Sequence, residues 1–155
     1  MKIDLDYMAN LLNVFVDSNK AQITISTFEE CGIPVESTNV ASSSALDENF
    51  LFHIQLALEN QLVSNQKLES HNLESLGIIM YIRGVGLTGQ PIRLTQKGHD
   101  FANALDNKEV LSRLKSEFKE APFKMVFDTS QKLLEHVLKK SWTHWFSHIS
   151  TRTWV

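Results

Sequence analysis

The run Ile92-Arg93-Leu94-Thr95-Gln96-Lys97-Gly98-His99-Asp100-Phe101 decides how this chain is read. A short β-prone segment ends at Thr95, and an apolar helical pattern starts directly after it. The Thr95 hydroxyl can cap the new helix. Gly98 lets its first turn pack closely, and Phe101 then drops into a core. The junction predicts a strand that passes into a helix with no linker between them.

Upstream, residues 77–83 read as a second strand, joined to 92–95 by the Gly-rich stretch Gly84-Val85-Gly86-Leu87-Thr88-Gly89-Gln90-Pro91. Residues 64–75 are polar and read as a linker. Asp47 caps a strong helix over 47–63. Residues 34–44 are polar and Ser-rich, so they read as a loop. Residues 21–25 read as a short strand, and Ser26 or Thr27 opens a brief helix through Cys31 that Gly32 stops. Leu5, Met8, Leu11, Leu12 and Phe15 recur at helical spacing, with Asp4 or Asp6 as cap. Downstream, helices are predicted over 96–105, 108–119 and 129–149. The resulting order is that of an α+β fold, a winged helix-turn-helix with a β-wing and an added C-terminal helical arm. The expected division is a domain over 1–106 and a helical extension over 107–155. Ile54, Leu58, Leu62, Leu94 and Phe101 should share one core.

Composition limits the function classes. The 155 residues are 43% hydrophobic and 21% charged, ordinary for a globular chain. Its apolar runs fall short of the roughly 18 residues a membrane span needs. The first 17 residues interleave Lys2, Asp4, Asp6 and Asp17 with apolar positions, which is not a secretory signal. A single cysteine, Cys31, excludes an internal disulfide. A cytoplasmic protein of a bacterium or its phage is expected. Net charge is −3 but uneven. Residues 1–46 hold two basic and six acidic side chains, 47–106 four and seven, and 107–155 nine and five. The basic excess thus lies outside the unit expected to read DNA.

Three segments carry a resemblance. The chain opens Met1-Lys2-Ile3-Asp4-Leu5-Asp6, its middle helix holds His53-Ile54 and Leu62-Val63, and Leu94-Thr95 is followed by Gly98-His99-Asp100-Phe101. It resembles a family of small bacterial and prophage proteins catalogued only as a domain of unknown function. That family usually has Arg at the position of Ile3 and Gly at the position of Gln61. Residues 123–138 are loosely similar to its closing helix. The resemblance covers residues 1–140 and leaves out the Trp-rich tail. It implies a winged-helix-like fold and a mobile-element setting, with no catalytic residue and no known ligand.

In a helix-turn-helix the second helix enters the major groove. On helix 47–63, Phe50, Leu51, Ile54, Ala57, Leu58 and Leu62 share the core side. Glu48, Phe52, Gln55, Leu56 and Glu59 face outward, flanked by Asn49, His53 and Asn60. No Lys or Arg stands there, although phosphate neutralisation by such residues supplies most non-specific affinity. Gln55 and Asn49 can read adenine edges, so a DNA-binding role requires the wing cations Arg83, Arg93 and Lys97 to supply the charge. The first expectation is a mobile-element DNA-binding regulator of that kind. The alternative is a protein-interaction module, an inhibitor or accessory subunit in phage–host conflict, using Phe52, Leu56 and the carboxylate of Glu59. In the tail, Leu134, Val137, Leu138, Trp142, Trp145, Phe146 and Ile149 form one apolar stripe, and Trp154 follows. This stripe, with Trp142, Trp145, Phe146 and Ile149 at its centre, predicts a homodimer through the C-terminal helix.

Other constellations carry little. His144 and His148 stand one helical turn apart without a third ligand nearby. His99 and Asp100 point about 100° apart on a helix, so they do not make a dyad; Asp100 is expected near the backbone amides at the helix start. The Gly84–Gly89 pattern is followed by a strand rather than a helix, so it is no phosphate loop. Cys31 has no basic neighbour to activate it. No catalytic residue, metal or cofactor is expected, and no membrane partner.

Overall fold

The computed structural model describes residues 1–37 and 44–152, apart from the side chains of 150–152. Most of the expected Ser-rich loop, and Trp154, lie outside the described residues. The chain divides into two compact units, Met1–Ala102 and Asn103–Val155.

The first unit begins with α1 (Leu5–Asp17), and Asp4 provides its cap by accepting from Tyr7 N at 3.1 Å. Then come α2 (Ser26–Glu30), the two-residue pair β1 (Glu36–Ser37) and β2 (Ala45–Leu46), and α3 (Glu48–Glu59). Asp47 caps α3 by accepting from Phe50 N at 3.0 Å. After α3 come β3 (Val63–Asn65), a 3-10 turn at Leu73–Leu76, β4 (Ile78–Tyr81), β5 (Gly84–Leu87) and β6 (Ile92–Leu94). The core holds Met8, Leu11, Leu12, Phe28, Phe50, Ile54, Leu62, Ile78, Ile92 and Leu94. Phe101, from α4 (Gln96–Asp106), is fully buried, and Leu58 is buried as well.

Four sequence-based expectations change here. Residues 21–25 do not form a strand; only Ile23 pairs, exchanging both backbone hydrogen bonds with Ile92 at 2.9 and 2.8 Å. Residues 64–75 are not a plain linker, since β3 lies antiparallel to β6 with Ser64 opposite Arg93. The Gly-rich stretch contains a strand, β5, which closes on β4 as a hairpin of its own with Ile79 opposite Gly86. The helix over 47–63 stops at Glu59, because Gln61 turns into the left-handed region (φ 57°) and sends the chain into β3. The change in the sheet is that β6 pairs with segments distant in sequence, Ile23 and β3, rather than with the strand nearest to it.

The Thr95 junction forms as the sequence predicts. The Thr95 hydroxyl accepts from Gly98 N at 3.0 Å, capping α4, and donates to the Gln61 carbonyl at 2.6 Å. Thr95 N also donates to Leu62 O at 2.9 Å. A Cβ on Gly98 would collide with the Leu62 carbonyl oxygen. Only glycine permits α4 to start this close to the end of α3.

The second unit contains α5 (Lys108–Glu117), capped by Asn107 accepting from Val110 N at 3.1 Å, and α6 (Phe123–Arg152). α6 starts earlier than the expected 129, directly after Pro122, whose missing N–H costs nothing at a helix start. Val110 and Leu114 of α5, with Val126 and Ser130 of α6, are buried. At 30 residues α6 runs about 45 Å, and its residues 138–149 are exposed throughout. Lys139 bonds Glu135 at 2.8 Å and holds that carboxyl below its ordinary range. Among the described residues no helix is long and apolar enough to cross a membrane.

Candidate interaction surfaces

α3 stands with its core side on Phe50, Ile54, Ala57 and Leu58. Of the residues expected outward, Glu48, Asn49, Gln55 and Glu59 are exposed, while Phe52 and Leu56 are half-buried one turn apart. His53 is a correction: it is buried rather than on the rim. Its Nε2 accepts from Asp4 N at 2.9 Å and its Nδ1 donates to Asn49 O at 2.7 Å. The Tyr7 ring lies 4.5 Å from it. The start of α1 therefore covers this flank of α3. Position 53 on a helical wheel gives no signal of that, because the covering residues come from the other end of the unit.

Two grooves flank α3 where it meets the hairpin. One is lined by Glu48 and Leu51 of α3 and by Met80, Tyr81, Ile82 and Arg83 of the hairpin, among others. Leu51 is thus half-buried in a groove, not in the core. Met80, Tyr81 and Ile82 are exposed, Ile82 completely. The sequence does not reveal this apolar hairpin tip, because alternation assigns strand residues to faces only when the strand pairing is known. The second groove runs from Gln55 and Glu59 past Gln61 and His71 to Glu74 and Met80. Among the described residues, Arg83 is the one Lys or Arg lining either groove.

A third groove, about 560 Å³, lies where β6 meets α4. Arg93 and Lys97 line it together with Gln61, Ser64, Leu68, Ser70, His71, Thr95 and Gln96. Arg83 is not among these residues, so the three expected wing cations do not form one cluster. The reason is the separate β4–β5 hairpin, which carries Arg83 at its turn, away from the β3–β6 ladder that bears Arg93. Gln55 stands with Glu59 in the second groove, and Asn49 lines none of the three.

In the second unit Trp142, Trp145, Phe146 and Ile149 are exposed along one side of α6. The Trp142–Trp145, Trp142–Phe146 and Trp145–Phe146 ring centroids are 5.9, 5.9 and 5.1 Å apart. His144 and His148 approach to 3.2 Å between Nε2 atoms, and no cluster of three metal-type ligands occurs among the described residues. Asp100 accepts from Gln96 Nε2 at 2.9 Å, His99 is exposed, and Cys31 is exposed. Compared with family models, with curated proteins and with solved structures, the chain finds no match.

Proposed function

We propose that the first unit is a winged helix used to hold a protein partner rather than to read DNA, and that the chain pairs with a second copy through α6. The order α1, Ile23, α2, α3, β3, hairpin, β6 supports the fold, with β6 between Ile23 and β3 as in a winged-helix sheet. The observation that carries the protein reading is the face shared by α3 and the hairpin. Exposed Met80, Tyr81 and Ile82 sit beside Leu51, rimmed by Glu48, while Glu59 and Glu74 line the adjoining groove. An apolar centre with a polar rim is how protein interfaces are built, and carboxylates repel a phosphate backbone. The partner has an apolar centre and a basic rim. The resemblance adds a mobile-element setting, in which such a module is a non-enzymatic inhibitor or accessory subunit. The aromatic side of α6 supports self-association on the same compositional ground.

The test has two arms. Tyr81→Ser with Ile82→Ser changes exposed residues only, so the fold persists while partner retention is lost. Random duplex DNA, titrated between roughly 50 and 200 mM salt, should show none of the steep loss of affinity that several neutralised phosphates produce. A second reading, the DNA-binding regulator, rests on Arg93 and Lys97 sharing one groove. It replaces the first if duplex binding is strong and salt-sensitive, and if Arg93→Ala with Lys97→Ala flattens the salt slope by about 0.9 for each phosphate no longer neutralised.

A further inference from the structure

The two edges of the β4–β5 hairpin differ. Thr88 N donates to Gly77 O at 2.9 Å, and these residues stand opposite each other, one step beyond the Ile78–Leu87 pair. Bonded and non-bonded pairs alternate along an antiparallel ladder. Ile79–Gly86 and Tyr81–Gly84 are therefore the bonded pairs, and the backbone groups of Met80 and Val85 point away from the partner strand. On the β5 side that edge is closed: the Ser44 hydroxyl, just before β2, accepts from Val85 N at 3.1 Å. On the β4 side no hydrogen bond among the described residues joins the outward backbone groups of Met80 to another segment. Met80 is 52% exposed.

This free edge opens on a groove of about 640 Å³. Met80 and buried Ile78 line it, together with Gln55 and Glu59 of α3 and Glu74 of the 3-10 turn. Both carboxylates are exposed, and no Lys or Arg is among the lining residues. A groove between a helix and a free strand edge takes an extended chain, whose backbone bonds the edge while its side chains give the choice of partner. Here the charge selects basic side chains. A second copy of this chain is a poor occupant. Residues 1–102 hold six basic side chains against twelve acidic ones, and pairing β4 with its own copy would set one acidic groove beside another.

We infer that the partner is held by adding an extended, basic segment to the free edge of β4. The Met80 N–H and C=O bond its backbone, and Glu59 and Glu74 attract its Lys or Arg side chains. The inference rests on the protein-partner reading above and names how that partner is gripped. Ile78 is fully buried, so the added strand pairs at Met80 and runs toward the hairpin turn, where exposed Tyr81 and Ile82 offer apolar contact.

The probe is a blocked heptapeptide alternating Lys and Val, titrated into the full chain and followed by amide NMR and hydrogen exchange. Saturable binding that protects the Met80 amide is expected, while Ile79, already bonded to Gly86, stays as it was. The same peptide with Glu in place of Lys should not bind. Met80→Pro deletes the outward N–H without touching a ladder bond and should weaken binding about fivefold, the scale of one hydrogen bond. Glu59→Gln with Glu74→Gln should weaken it about tenfold together. A peptide N-methylated at every residue should not bind, which keeps the test independent of how Met80→Pro folds. Saturable binding that shifts Tyr81 and Ile82 but leaves the Met80 amide unprotected overturns strand addition and keeps the protein-partner reading. No saturable binding of the basic peptide, or equal binding of the methylated one, also overturns it. A Met80 amide that gains protection as the chain alone is concentrated puts a second copy on the edge and overturns the basic segment as occupant. Failure of the protein-partner reading itself shows separately, as strong, salt-sensitive duplex binding.

Discussion

The junction at Gly98 and the outer half of α6 show opposite uses of sequence. At Gly98 backbone meets backbone: α4 starts against the Leu62 carbonyl, Thr95 makes both a cap and a cross-link, and there is no room for a methyl group. In α6 from Leu138 to Ile149, large side chains lie in the open, and the rings of Trp142, Trp145 and Phe146 pack against one another. The first region uses small residues to make a fold. The second places its largest residues where they contribute nothing visible to folding, which is the pattern of a surface made for another molecule.

The largest effect should come at the junction. Gly98→Ala forces α4 away from Leu62 and should destabilise by about 3 kcal/mol, the upper range for overpacking, read by chemical denaturation. An unchanged midpoint would break the contrast. A smaller change of opposite sign is expected a few residues away. Gln61 holds a left-handed backbone (φ 57°) without being glycine. Gln61→Gly removes the Cβ penalty, offset partly by a looser unfolded chain, and should stabilise by about 0.5 kcal/mol. It also removes a wall from two grooves.

Smaller still at neutral pH is Tyr7→Phe. The Tyr7 hydroxyl is buried with no hydrogen-bond partner among the described residues, so its loss forfeits no bond and should change stability by less than about 0.5 kcal/mol. Burial, and then the Asp47 carboxylate, push this phenol from 10.0 up to about 12. The unfolded chain then loses its proton first. The stability tied to Tyr7 is complete below pH 10 and drains away as pH rises through about 12. Urea midpoints across that range should fall in the wild type more steeply than in the variant.

At the end of the scale, Trp145→Asp with Ile149→Asp should leave the folding midpoint within about 0.5 kcal/mol. Light scattering should nevertheless change from dimer to monomer. If the unmodified chain is already monomeric at tens of micromolar, roughly where weak interfaces dissociate, the self-association proposal fails.

The Thr95–Phe101 junction and the capped start of α3 are readable because their information is local: a hydroxyl three residues before the amide it caps, and apolar residues one turn apart. β3 is not readable. Val63-Ser64-Asn65 shows no alternation of apolar and polar residues, and all three are buried by partners elsewhere in the chain. β5 is hidden by its glycines, which strands usually avoid. The candidate residues are legible as chemistry but not as groups. Arg83, Arg93 and Lys97 lie close together in sequence, and only the pairing of β4 with β5 and of β6 with β3 separates the first from the other two.

The Ile23–Ile92 bridge also fixes an order of events. The strand at the centre of the three-way pairing is the one made last on the ribosome. Until residue 94 has emerged, Ile23 and Val63–Asn65 wait without their partner, and closing so wide a loop must be achieved before any pairing repays it. The N-terminal helices of a nascent chain cut short before Ile92 should therefore remain open to proteases and chaperones, and become protected together once β6 is available.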